Sequence, residues 1–495
     1  MTLLIILGAP ALAALLTVRC PASLLRALAL AGAGASLLAA LVAFQSSGQG
    51  SDLSFSTPWV PAVGLHLALR ADGVSSTLLA LGGLISVLAI ISTRLEEIER
   101  PRLFLAMMLL TQAGAAGVFL ARDMVVFYVC WEAVLVPMFV LVAGFGDGRG
   151  EAGRSANRAA ALKLLIYTGV GSLGMLLAIL ALYVAQSGPS PSFDIAQLRH
   201  VHLAPGNAFL GLSRADLVFA GFALAFAFKS PIFPFHGWLA DAYTAAPTPA
   251  VMVLAGVVSK LGPYGFYRVG VELMPAEAAR FSGPLTTLAA VGIVYGALLA
   301  LRQRDTKRTV AYASLSHMCF ITLGIVGLTS AGLSGGVLQM ANHGILIASL
   351  FFIVGHLERH TGTRDRAQLG GLARRAPALA ALFLVLALAM LGLPGLNGFV
   401  GEYLIMAGTF SRSSWLLGLA AAGVVLAAWY TLRLYQGLMN GPAAEGPDAD
   451  VDGADAGVLV PLAALAVVIG IYPAPLLDVI NHSVSALTLA LGGGG

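Results

Sequence analysis

The chain has 495 residues, of which 58% are hydrophobic and only 11% carry a charge. That balance excludes a soluble multidomain protein and identifies an integral membrane protein whose apolar stretches face the lipid bilayer or one another. The formal net charge of +4 is spread over short loops rather than gathered in one basic patch, which argues against nucleic acid as a partner and gives the basic residues a role in topology.

Taken in chain order, apolar runs long enough to cross a bilayer predict an all-α polytopic fold with about 14 transmembrane helices. They centre near Ala13, Gly34, Ile85, Met108, Ala133, Gly174, Ala225, Gly256, Val291, Thr322, Ile347, Leu391, Val425 and Ala466. The first run, TLLIILGAPALAALLTV, has no basic region before it and no small-residue cleavage site after it, so a retained helix is expected. Gly, Pro and charge break the pattern in DGRGEAGRSANR and in HLERHTGTRDRAQLGGLARRAP, which read as aqueous loops. With the N-terminus outside, alternate loops carry 19 Lys and Arg on the inner side, Arg149 among them, and 7 on the outer side; two buried lysines complete the 28. This is the asymmetry that the positive-inside rule expects.

Four ionisable residues fall inside apolar spans: Glu132, Lys229, Lys260 and Glu402. A charge at bilayer depth costs roughly 2.5–3.5 kcal/mol even on lenient insertion scales, so each marks a functional hypothesis and together they suggest a route for protons. Two of the spans are punctured. Pro231 and Pro234 follow Lys229 and remove amide donors from the carbonyls of Ala227 and Ser230, while Pro394 sits among Gly392, Gly395 and Gly398 and leaves Met390 without its helical amide. Paired broken helices in two halves of a membrane chain point to inverted repeats; Pro137, by contrast, reads as an ordinary kink. Lys229 would stand at the C-terminal end of a half-helix and Glu402 in the opening turns of another, each at the end whose dipole suits its charge.

Glu132 and Lys229 are suited to a switch, because opening such a pair lowers the proton affinity of the lysine. A static ion pair is the blander alternative. Lys260 has no acid nearby in sequence, and His317 and His343 follow it in successive spans as groups that titrate near neutral pH. His200, His202 and His236 are placed near water by the topology. Cys20, Cys130 and Cys319 are widely separated, and no phosphate-binding loop or catalytic triad stands out, so no cofactor, metal or redox centre is expected in this chain.

The segments carrying these residues resemble a known family. FYVCWEAVLVPMFVLVAGFG, KSPIFPFHGWLADAYTAAPTPAVMVLAGVVSKLGPYGFYR, QRDTKRTVAYASLSHMCF, NHGILIASLFFIVGHL and GLPGLNGFVGEYLIMAGTF are similar to the antiporter-like proton-channel subunits of respiratory complex I, over about Leu69 to Tyr430. Glu402 resembles the M-type branch, since the L-type, N-type and Mrp-antiporter relatives usually carry Lys there. The resemblance implies that Glu132 and Lys229 form the switching pair, Lys260 the central carrier, His317 and His343 the connecting relay, and Glu402 the far end. It also implies broken helices 7 and 12 and two inverted five-helix repeats. Two departures stand out: Tyr243 occupies a position where the family commonly has His, and Pro263 follows Lys260 closely.

The expected organisation is helices 1–3 and the start of helix 4 over 1–120, a first repeat (helices 4–8) over 103–270, a second (helices 9–13) over 282–440, and an acidic loop, helix 14 and a C-terminal tail over 441–495. The resemblance implies a proton-translocating membrane-arm subunit of a bacterial NADH:quinone oxidoreductase, multi-pass in the inner (plasma) membrane, with L-type and N-type neighbours. NADH, FMN, iron–sulfur clusters and quinone would all belong to partner subunits. A subunit of a membrane-bound hydrogenase or an Mrp-type cation/proton antiporter is the alternative within the family; a stand-alone solute transporter and a non-conducting scaffold are alternatives outside it.

Overall fold

The computed structural model describes residues 1–148, 150–187, 190–203, 206–209, 211–442 and 449–492. Arg149 and the acidic stretch 443–448 lie outside the described residues, as does the end of the chain from 493. In chain order the helices are α1 (Thr2–Thr17), α2 (Leu25–Gly48), α3 (Gly73–Ser92), α4 (Pro101–Leu120), α5 (Met124–Ala133), α6 (Leu135–Phe145) and α7 (Gly150–Val184). There follow α8 (Ile195–Leu198), α9 (Arg214–Lys229), α10 (Leu239–Ala245), α11 (Thr248–Gly256), α12 (Leu261–Gly265), α13 (Pro275–Arg302) and α14 (Thr306–Val326). The last are α15 (Ser330–Thr361), α16 (Pro377–Met390), α17 (Asn397–Phe410), α18 (Ser414–Met439), α19 (Gly453–Ile471) and α20 (Ala474–Gly492). An antiparallel hairpin of β1 (Leu53–Val60) and β2 (Leu65–Ala71) joins α2 to α3.

Among the described residues, 11 helical segments are long and apolar enough to cross a membrane. The other predicted spans fall on shorter helices: α1, α9 and the α16–α17 pair. Side-chain oxygens satisfy the first amides of several spans, as in Asp72 before α3, Asp123 before α5, Ser213 before α9 and Asp305 before α14. The apolar windows of the span Thr248–Val271 and of α15 are wholly buried, and that of α14 is 94% buried, whereas that of α18 is 33% buried. The first three therefore form the centre of the bundle, and α18 presents most of its surface outward. Those central helices carry Lys260, His343 and His317.

The two expected breaks are present, between α9 and α10 and between α16 and α17. At the second, Gly392 and Gly395 adopt positive φ of 77° and 92°, a conformation that glycine takes without Cβ strain. At the first, the carbonyl of Ala227 does not go unpaired as expected: the amide of Ile232, one residue beyond the missing donor of Pro231, bonds to it at 3.2 Å. Pro137 produces only a kink at Val134, between α5 and α6.

Two features depart from the expected layout. The eighth span is itself interrupted: α11 stops at Gly256, a 3-10 turn covers Val258–Lys260, and the end of the span, Phe266–Val271, is a π-helix. The expected C-terminal tail is a further helix, α20, tied to the bundle by Ser334 donating to Asn481 at 2.6 Å and by the Gly73 amide donating to Ser483 at 2.9 Å.

Candidate functional site

The break in the eighth span creates the environment of Lys260. Pro263 has no amide for the carbonyl of Ser259, and the helical ladder is interrupted in the turn just before it, at Val257–Lys260. Val257 leaves helical geometry at φ −123° and ψ −57°, and the Lys260 amide turns back to Val257 at 3.0 Å. The carbonyl of Ala255 is thereby released to side-chain donors. Lys260 Nζ lies 2.6 Å from it, 3.2 Å from Ser259 Oγ and 2.8 Å from His343 Nδ1. An ammonium has three N–H donors and no acceptor, so these three partners match the donors of a protonated Lys260, and the His343 nitrogen is the one partner able to take the proton.

His343 passes the chain to α14. Its ring lies 5.7 Å from that of His317, with the planes 28° apart, and both are buried. His317 Nδ1 is 3.3 Å from Glu402 Oε1, and its Nε2 is 3.1 Å from the hydroxyl of Tyr430 on α18. With Nδ1–H donating to the carboxylate, Nε2 accepts from Tyr430, so one tautomer satisfies both contacts. Gln339 of α15 donates to the same carboxylate oxygen at 3.4 Å, and Asn342 anchors the α17 start by donating to the Asn397 carbonyl at 2.7 Å. A Cβ at Gly392 would lie 2.6 Å from Glu402 Oε2, so the broken helix leaves room for the carboxylate.

Glu132 on α5 and Lys229 at the end of α9 are not joined by a hydrogen bond. Among the described residues neither Lys229 Nζ nor Glu132 Oε1 has a hydrogen-bond partner. The amine instead faces the ring of Trp131, 5.3 Å from its centroid, where the quadrupole attracts a cation. The pair is seen open. Lys229 is nevertheless packed onto the Lys260 segment: a Cβ at Gly262 would collide with Ser230 and lie 2.9 Å from the carbonyl carbon of Lys229. The carbonyl of Phe228 accepts from the Trp238 indole at 3.0 Å, which caps the broken end of α9.

Four of the six expected residues, Lys260, His343, His317 and Glu402, thus form one buried axis across α11–α12, α15, α14 and α17. Glu132 and Lys229 lie beside it as a separated pair. His200 and His202 are exposed and His236 is partly buried between the rings of Phe233 and Tyr295. Tyr243 is buried against Trp238 and Phe351. Tyr430, Gln339, Ser259 and Trp131 are not singled out by sequence; Trp131, adjacent to Glu132, and Ser259, adjacent to Lys260, carry a local signal, whereas Tyr430 and Gln339 meet the axis through contacts distant along the chain.

The family described as NADH:quinone oxidoreductase/Mrp antiporter, transmembrane, matches residues 121–428, which contain all six residues. The F(420)H(2) dehydrogenase subunit M of Methanosarcina mazei is 37% identical over 466 residues, covering 92% of this chain and 91% of that protein. The NADH-quinone oxidoreductase subunit M of Pseudomonas aeruginosa is 37% identical over 443 residues, covering 89% of this chain and 86% of that protein. A chain of respiratory complex I from Thermus thermophilus superposes with a TM-score of 0.87 at 34% identity, over 99% of this chain and 100% of that one. With its buried charged axis and its broken helices, the chain belongs to the NADH:quinone oxidoreductase/Mrp antiporter membrane family, on the subunit M side of it.

Proposed function

We propose that this chain is the proton-translocating M-type subunit of a bacterial NADH:quinone oxidoreductase, and that the proton moves between Lys260 and Glu402 through His343 and His317. The observation that carries this reading is the line of buried titratable groups, with contacts of 2.8 Å at Lys260–His343 and 3.3 Å at His317–Glu402 and the two histidine rings 5.7 Å apart between them. Lys260 gives its proton to His343 Nδ1, His343 releases one from Nε2 to a bridging water, the water protonates His317 at Nε2 in place of the Tyr430 contact, and His317 Nδ1 gives its proton to Glu402. Glu132 and Lys229 set the charge beside Lys260: closing their ion pair removes a neighbouring cation from its surroundings, and opening the pair repels the proton onward.

Moving a proton against about 100 mV takes roughly 2.3 kcal/mol, so the cycle is driven from outside the chain. Electron transfer from NADH through FMN and iron–sulfur clusters to quinone belongs, on this reading, to partner subunits, and L-type and N-type antiporter-like subunits flank this one. Residues 103–270 and 282–440 are read as inverted repeats, with the broken α9–α10 and α16–α17 segments as matching parts, in the inner membrane with the N-terminus outside. A second reading for the electron donor is favoured by the equal identity to the archaeal F(420)H(2) dehydrogenase subunit, in which case the partners oxidise F(420)H(2). Reconstitution of the assembled complex with Lys260→Ala tests the proposal: proton uptake should be lost, and uptake at the wild-type rate would refute it.

A further inference from the structure

A second cluster of buried charge lies off the axis, at the β-hairpin end of the Lys260 span. Asp72 follows β2 and caps α3 through reciprocal bonds with Ser75. Its other carboxylate oxygen accepts from Arg268 Nη2 at 2.6 Å, and Arg268 Nη1 donates to Glu272 at 2.6 Å. Arg122, in the link from α4 to α5, donates to the second Glu272 oxygen at 3.0 Å. Arg268 Nε donates to the Tyr264 hydroxyl at 3.1 Å, which donates in turn to the carbonyl of Phe119 at 2.7 Å. The guanidinium also packs against the rings of Tyr264 and Tyr267.

This network closes the same span that carries the proton axis. Arg268 stands eight residues beyond Lys260, about 12 Å along the segment at the helical rise. A buried set of ion pairs is a poor way to obtain rigidity alone, since apolar side chains of similar volume serve as well. It is a good barrier to protons. The acceptors are already committed to guanidinium donors, and a fixed arginine repels a cation that approaches from Lys260.

We propose that Asp72, Arg122, Arg268 and Glu272 form a proton-tight plug at the β-hairpin end, so that a proton on Lys260 leaves toward His343 and has no exit past Arg268. The inference rests on the reading of Lys260 as a proton carrier. It makes the four residues positioning groups that keep the path one-sided, without touching the transferred proton.

The test is passive proton leak through the assembled complex in proteoliposomes, measured with an imposed pH gradient and no electron donor. Arg268→Gln and Glu272→Gln should each raise the leak roughly tenfold, a barrier lowered by about 1.4 kcal/mol, while electron transfer to quinone continues. Adding Lys260→Ala should abolish the extra leak, because the opened route runs through that side chain. An unchanged leak in both single variants overturns the plug, as does a leak indifferent to Lys260→Ala. Should Arg268→Gln fail to assemble, Glu272→Gln decides alone, since it leaves the Asp72–Arg268 bond in place. Failure of the carrier reading shows separately, as normal pumping by Lys260→Ala in the otherwise unaltered complex.

Discussion

Lys260 Nζ and His343 Nδ1 meet at 2.8 Å, with both side chains fully buried in the centre of the bundle. The contact depends on an interruption: the 3-10 turn at Val258–Lys260 brings the amine back over its own Ala255 carbonyl and toward α15. A straight helix would leave that carbonyl bonded to the Ser259 amide and the lysine without an acceptor from its own backbone.

The close packing of Gly262 on Lys229 and Ser230 predicts that Gly262→Ala is severe although it touches no titratable side chain. The added methyl meets backbone, which cannot swing aside, so the two lysine-bearing segments must separate; overpacking of this kind costs about 1–3 kcal/mol. Pumping should fall along with the yield of assembled complex. Normal yield and normal pumping would show that the segments tolerate the shift.

Tyr430 predicts a milder phenotype. Tyr430→Phe keeps the ring and removes the partner of His317 Nε2, a loss of about 1 kcal/mol that corresponds to roughly fivefold in rate if the tautomer matters. Initial rates of proton uptake should drop by that order with assembly intact. An unaltered rate would mean that Glu402 alone orients His317.

Much of this architecture was legible from sequence, and the exceptions have a common cause. Apolar runs and loop charges located the spans because the bilayer imposes length and sign on each one separately. Proline and glycine marked the breaks at Pro231 and Pro394 because their effects act within one turn. Pro263 marks the eighth span as irregular, yet the direction in which Lys260 points depends on His343, 83 residues away, which is a tertiary matter. The α20 helix packs through Asn481 and Ser483 on partners far away in sequence, so its apolar positions read as a tail. Glu132 and Lys229 were expected as a pair, and their separation around Trp131 is a distance that no local pattern encodes.

That separation predicts a graded series. Glu132→Ala and Lys229→Ala should each abolish or severely reduce pumping and the coupled quinone reductase activity, and Glu132→Asp should do so less. Trp131→Leu removes the ring that the amine rests on, an effect of about 0.5–2 kcal/mol, and should slow turnover a few-fold without uncoupling it. Near-normal pumping by assembled Glu132→Ala complexes would remove the switch from the mechanism.

Asp72 sets a pH dependence. Burial pushes its carboxyl up, but Arg268 and the Ser75 amide outweigh burial and hold it down at about 2, against an ordinary 3.8. Arg122 adds to the lowering, and Tyr264, Tyr267 and Glu272 also stand around the Arg268 centre. A depressed pKa contributes stability that is fully present above 3.8 and is lost as pH falls through about 2. Asp72→Asn should therefore destabilise the complex by about 2 kcal/mol at neutral pH, and the difference from wild type should vanish near the bottom of that window. Denaturation in detergent across pH measures it, and a difference independent of pH would contradict the charged network.

The central claim is that Lys260 gives up its proton, and Lys260→Arg tests it most directly. Arginine keeps the positive charge and can reach the same acceptors, but it is not deprotonated in proteins, so it can replace an ion-pairing lysine and cannot replace a carrier. The account predicts an assembled complex whose proton uptake, followed by a pH-sensitive dye in proteoliposomes during quinone reduction, is lost. Uptake near the wild-type rate in Lys260→Arg would contradict it and leave Lys260 a structural cation.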